Sequence, residues 1–156
     1  MDAARCLARL QKLCSKAEYC RADVYRKALK DLEGDAEAAA KVVEQLVADK
    51  YVDEARYASA FAREKATLQG WGAVKIRFQL RGKGVSEAVI ATALADVDTE
   101  KADARLERLL EEKWRSLEGD PQRKLKLIKY ALSRGYDYEK IATFVARMAG
   151  RSVAEP

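Results

Sequence analysis

The chain has 156 residues, 49% of them hydrophobic and 35% charged, and carries a formal net charge of +5. That length suits one domain or a few small repeats, and the apolar fraction is too high for a globally disordered chain. No run approaches the ~18 consecutive apolar residues of a membrane span, and the absence of histidine removes imidazole as a general base and every His-containing zinc site.

Abundant Ala, Leu, Lys, Arg and Glu, with only two prolines, predict an all-α protein. Met1-Asp2-Ala3-Ala4-Arg5 leads into an amphipathic pattern and not into an apolar h-region, so no secretory signal is expected. The first helix is predicted over 3–18. Cys6 shares a face with Leu10, Leu13 and Ala17, which makes it a small buried hydrophobe. The three cysteines, Cys6, Cys14 and Cys20, form no CxxC and lack a fourth metal ligand, so a reducing cytosol and a structural role are expected.

Helices follow over 21–32 and 36–50, the latter capped by Asp35. Asp53 caps the next, 54–69, which puts Tyr57, Phe61 and Leu68 on one side. Asp53-Glu54 is better explained as a cap plus a first-turn charge than as a catalytic acidic pair. Helices over 72–82 and 87–96 come next, the second behind Ser86. The segment 99–118 carries Leu106, Leu110 and Leu117 on one face. Asp120 as N-cap with Pro121 at the first helical position opens 121–134. Asp137 opens the last helix, 138–149.

These nine elements repeat. Sliding the chain by 51 residues lays Tyr25 on Ile76 and Leu127, and Leu29 on Leu80 and Ala131. It also lays Asp35 on Ser86 and Asp137, and Ala39 on Ile90 and Ile141. Gly84 falls on Gly135, each where a left-handed residue closes a helix, and Glu33 stands there in the first copy with Gly34 after it. The expected organisation is three three-helix repeats, 1–52, 53–97 and 98–150, with a tail over 151–156. Each repeat is too small to bury a full core alone, so the repeats should stack into an elongated, curved array. A monomer is expected.

The second helices of repeats two and three are basic. Lys75, Arg77, Arg81 and Lys83 have no nearby carboxylate in sequence until Glu87, and Ile76 and Leu80 mark the core side. Lys124, Lys126, Lys129 and Arg134 follow in the third copy, Lys126 at the place of Lys75 and Arg134 at that of Lys83. A continuous basic ridge would suit phosphates or an acidic protein groove, and an ordinary solvated face is the plainer alternative. Phe78 lies on the side away from Ile76, together with Val74. The spacing favours packing against the neighbouring triplet over an exposed anchor. Trp71, between two glycines, either closes the interhelical turn or meets a partner. Among Tyr51, Tyr57, Tyr130, Tyr136 and Tyr138, Tyr130 is expected to be the exposed one.

The segment Tyr51-Val52-Asp53-Glu54-Ala55-Arg56-Tyr57-Ala58, followed by Gly70-Trp71-Gly72-Ala73-Val74-Lys75-Ile76-Arg77-Phe78-Gln79-Leu80-Arg81-Gly82-Lys83-Gly84-Val85-Ser86, resembles the RecX family in order and spacing. The close match covers about 51–94. Ala73 stands where that family often has proline, and Trp71 is bulkier than its usual residue. The resemblance implies three three-helix repeats. It also implies a non-enzymatic cytoplasmic regulator that binds the RecA recombinase filament and hinders ATP hydrolysis, filament growth and strand exchange. Together with the basic helices and aromatic residues read above, it makes Trp71, Lys75, Arg77, Phe78, Arg81, Lys83, Lys124, Lys126, Lys129 and Arg134 the contact candidates, with phosphate contacts to single- or double-stranded DNA. No cofactor, metal or membrane partner is expected, since no nucleotide-binding, nucleophile-elbow or metal motif is present. The alternative is a DNA-binding module of helix-turn-helix type without sequence specificity. Glu87-Ala88-Val89-Ile90-Ala91-Thr92-Ala93-Leu94 carries no side chain suited to reading base edges.

Overall fold

The computed structural model describes residues 1–154, and among them it contains nine α-helices and no strand. They are α1 (Ala3–Cys14), α2 (Arg21–Asp31), α3 (Ala36–Ala48), α4 (Glu54–Thr67), α5 (Ala73–Gly82), α6 (Glu87–Ala95), α7 (Thr99–Ser116), α8 (Arg123–Ser133) and α9 (Tyr138–Ala154). No helix among the described residues is long and apolar enough to cross a membrane.

Capping explains where the third helix of each triplet begins. The Asp35 carboxylate accepts from the Ala38 amide at 3.0 Å, the Ser86 hydroxyl from Val89 at 3.3 Å and the Asp137 carboxylate from Lys140 at 2.9 Å. The turn before each cap also recurs. Gly34 donates to the Leu29 carbonyl, Val85 to Leu80 and Tyr136 to Ala131, at 2.7, 3.1 and 3.4 Å. These are the six-to-one bonds of a Schellman closure, spaced by the 51 residues that relate the copies. Gly84 and Gly135 take the left-handed place with φ 81° and 92°, and Glu33 takes it in the first turn at φ 56°.

The chain divides into two compact units. One is Met1–Ala60 with Gln79–Ala93, the other Phe61–Phe78 with Leu94–Pro156. In the first, Cys6, Leu10, Val24, Ala28, Ala39, Val42, Val43, Leu46 and Val52 form a core. In the second, the core is Leu106, Leu110, Leu127, Ala131, Tyr136, Ile141, Val145 and Met148.

Several expectations of register change. On α2 the fully buried residues are Val24 and Ala28, while Tyr25 and Leu29 flank the core half-buried. The apolar stripe there is two residues wide, and the smaller pair faces inward, where close helix approach needs it. On α4 the buried face is Tyr57, Ala58, Ala62 and Ala66; Phe61 is half-buried and Leu68 is 67% exposed. Helix α1 stops at Cys14, where the Ser15 hydroxyl donates to the Gln11 carbonyl at 2.8 Å, so Ala17 leaves the Cys6 face and is exposed. Helix α8 begins at Arg123 and not at Pro121, because the Asp120 carboxylate accepts from the Gln122 amide at 2.8 Å and closes a separate turn. Helix α9 runs to Ala154, past the expected end at 149, since Gly150 keeps a right-handed φ and no proline intervenes. Residues 155 and 156 of the expected tail lie outside the described residues.

Candidate interaction surface

The segment Tyr51–Tyr57 acts as a clamp. Asp53 caps α4 by accepting from the Arg56 amide at 2.9 Å. Glu54 reaches the other way and accepts from the Arg21 amide at the start of α2, at 2.9 Å. Placing carboxylate charge at two helix N-termini is favourable. The Arg56 guanidinium donates to Glu18 at 2.5 Å and to the Lys50 and Tyr51 carbonyls at 3.1 and 3.3 Å. It thereby ties down the turn after α3, where Lys50 is forced to φ 62°. Asp23 is a second tie. Its carboxylate accepts from Lys83 at 2.8 Å and from Arg26 at 2.7 Å. Burial pushes this carboxyl up, but the hydrogen bonds from Lys83 and Cys20 win and hold it below its ordinary 3.8.

In the other unit, the turn between α4 and α5 is built on glycines. The Trp71 amide donates to the Lys65 carbonyl at 2.8 Å. The indole meets Phe61 edge-on with centroids 6.0 Å apart, and the ammonium groups of Lys65 and Lys75 lie 4.9 and 4.3 Å from its centre. Trp71 is therefore engaged within its own turn. The first amides of α5 find acceptors on the turn between α8 and α9: Gly72 donates to the Arg134 carbonyl at 2.7 Å and Val74 to the Gly135 carbonyl at 3.0 Å. The Arg134 guanidinium donates to the Gln69 carbonyl, and the Tyr136 hydroxyl to the Gly70 carbonyl at 2.8 Å. Burial pushes the Tyr136 phenol up to about 12.

The expected basic cluster without carboxylate partners is not what forms. Lys83 pairs with Asp23, sixty residues away in sequence, and Arg81 with Glu87 at 2.7 Å. Lys126 pairs with Asp120 at 2.5 Å, and Lys75 and Arg134 are held as above. Arg123 lies 3.7 Å from the Trp114 ring centre and donates to the Trp114 carbonyl at 2.9 Å. Arg77 is half-buried, whereas Lys124 and Lys129 are exposed.

The apolar residues depart from expectation in the opposite sense. Ile76 and Leu80, with Gly72 just ahead of the helix, form the buried side of α5, so Val74 and Phe78, about 200° round the helix from Ile76, face away. They are 57% and 72% exposed, which overturns the expected packing of Phe78. On α8, Leu125 and Leu132 are each 47% exposed. Neither was singled out by sequence, although Leu125 stands at the place of Val74 and Leu132 at that of Arg81. Tyr138, not Tyr130, is the exposed tyrosine.

No group of three His, Cys, Asp or Glu among the described residues could hold a metal ion. Cys6 is buried, and burial first, then Asp31, pushes its thiol up to about 11, so it stays protonated and inert.

Comparison with known proteins gives one family throughout. The model described as "RecX, second three-helix domain" matches residues 53–94, and "RecX, third three-helix domain" matches 100–145. The regulatory protein RecX of Clostridium botulinum (strain Alaska E43 / Type E3) is 34% identical over 115 residues, covering 71% of this chain and 53% of that protein. The one from Clostridium perfringens (strain 13 / Type A) is 29% identical over 119 residues, covering 74% and 55%. The chain spans about half the length of the curated relatives it matches. A crystal structure of regulatory protein RecX superposes with a TM-score of 0.81 at 21% identity, covering 93% of this chain and 73% of that one. The crystal structure of RecX from Lactobacillus salivarius gives 0.77 at 17%, covering 94% and 96%. At those identities the likeness shows the fold alone.

Proposed function

The chain belongs to the RecX family of regulatory proteins, and from that premise we propose that it binds the RecA recombinase filament on DNA and slows its ATP hydrolysis, growth and strand exchange. The observation that carries this reading is the match of two consecutive three-helix domains over 53–94 and 100–145. The contact face is taken to lie on the second helices of repeats two and three. Helix α5 supports that choice, since it leaves Val74 and Phe78 open in the middle of the family-matched segment. The repeats 1–52, 53–97 and 98–150 serve as the binding modules. Such a protein would bridge neighbouring protomers and resist the relative motion that turnover requires. It acts by binding and not by catalysis.

Co-sedimentation tests this. RecA filaments assembled on single-stranded DNA with a slowly hydrolysed ATP analogue should carry the chain into the pellet in proportion to filament protomers. If no more chain pellets with filaments than with bare DNA, the reading is wrong.

A further inference from the structure

The cations of α1 differ from those of α5 and α8. Helix α1, Ala3–Cys14, contains no carboxylate. Arg5, Arg9 and Lys12 are spaced four and three residues apart, which sets them within about 60° of one another round the helix. Lys16 follows just past the helix end, where its amide donates to the Leu13 carbonyl at 3.0 Å. Cys6 and Leu10 are the buried residues of α1, so the row lies on its outer flank. Arg5, Lys12 and Lys16 are exposed and form no ion pair among the described residues. Arg9 is half-buried and is held through its Nε by Asp31 at 2.7 Å. Asp2, the acid just ahead of the helix, caps it by accepting from the Arg5 amide at 2.8 Å.

On α5 and α8 the cations are mostly engaged. Lys75 lies over Trp71, Arg81 and Lys126 are paired with carboxylates, and Arg134 holds the Gln69 carbonyl. The exposed Lys124 and Lys129 stand five residues apart, about 140° round α8, and so make no row. A phosphate backbone is bound by cations free to displace its counterions. Arg5 to Lys12 spans about 10 Å of helix axis at ~1.5 Å per residue. A single strand can straighten along such a row, whereas the phosphates of a duplex curve away from it after a short contact. No aromatic residue lies on α1, so nothing there stacks on bases.

We propose that this row on α1 is a binding site for the sugar-phosphate backbone of single-stranded DNA, without sequence preference. Identifying that strand with the one a recombinase filament assembles on rests on the function proposed above. The site lies in repeat one, outside the stretches 53–94 and 100–145 that carry the family match. The chain thereby meets the strand and the recombinase through different repeats.

The test measures anisotropy of a fluorescent thymidine oligonucleotide, and of a duplex of the same length, with the full chain across a salt series. One variant combines Arg5→Gln, Lys12→Gln and Lys16→Gln; the control combines Lys124→Gln and Lys129→Gln. Melting curves check that each folds. The α1 triple variant should weaken strand binding about tenfold at low salt. It should also flatten the slope of log affinity against log salt by about two, roughly 0.7 for each lost phosphate contact. The α8 pair should change that slope little. Should the triple variant fold poorly, Lys12→Gln alone gives the same reading with a slope change of about 0.7. A folded triple variant with wild-type affinity and slope overturns the proposal. So does an α8 pair that loses as much as the triple variant, or a wild-type chain that binds no oligonucleotide. A duplex that binds more tightly than the strand, and loses as much in the triple variant, assigns the row to duplex and overturns the proposal too. A chain that binds the oligonucleotide through α1, yet pellets no better with RecA filaments than with bare DNA, defeats the proposed function and leaves this site standing.

Discussion

Gly72 and Gly135, sixty-three positions apart, are in backbone contact: a Cβ added to Gly72 would overlap the Gly135 carbonyl, and one added to Gly135 would overlap the backbone of Lys75. Two hydrogen bonds flank the contact, from Gly72 to Arg134 and from Val74 to Gly135. The first amides of α5 are thus satisfied by another repeat's turn and not by a side-chain cap. The contact fixes where α5 starts and hence which way Phe78 faces.

Gly135→Ala should therefore be costly. It adds strain at φ 92° and a backbone collision, together about 2–4 kcal/mol. Gly84→Ala is the control, since Gly84 has φ 81° but nothing within 4 Å of an added Cβ, and it should cost about 1 kcal/mol. Urea melts of the two variants check the difference. Equal losses would mean that the close approach does not matter.

Arg56→Ala should cost about 1–2 kcal/mol, because one guanidinium serves Glu18 and two carbonyls at the left-handed Lys50 turn. Arg56→Lys should recover less than half of that, since an ammonium cannot reproduce the planar fork. Chemical denaturation of both variants would show it; full rescue by lysine would leave only charge as the cause.

The Asp23–Lys83 pair gives a pH signature. The folded Asp23 carboxyl is held below its ordinary 3.8, so its contribution is present above that value and lost as pH falls through the lower folded value. Lys83→Met should destabilise by about 1 kcal/mol at neutral pH, a modest figure because the pair is partly solvated. The gap to wild type should close in acid below about pH 4. Melts across pH measure it, and a gap that widens on acidification would carry the wrong sign.

Leu80 and Ile90 are fully buried, so Leu80→Ala or Ile90→Ala should cost about 2–5 kcal/mol. Phe78→Ala should stay within about 0.5 kcal/mol despite the larger truncation, because the ring is already in water. Reversed magnitudes would refute the register of α5.

Much of the fold was legible because it is local. Asp35, Ser86 and Asp137 cap their helices by short-range bonds that any sequence with those residues can make. The 51-residue spacing was visible because the Schellman turns demand left-handed residues at fixed places. The partners of the basic residues were not legible. Nothing near Lys83 in sequence announces Asp23, and nothing near Gly72 announces Gly135, because tertiary packing sets both contacts. Phe78 was misjudged for a related reason. Helical spacing shows that a residue faces away from Ile76, but only the finished packing shows whether another element covers it.

The most direct measurement is the rate of ATP hydrolysis by RecA on single-stranded DNA as the chain is added. The rate should fall progressively until the chain matches the filament protomers, with the melting curve of the chain unchanged in the same buffer. A rate that stays constant at stoichiometric excess over the filament would refute a regulator of RecA.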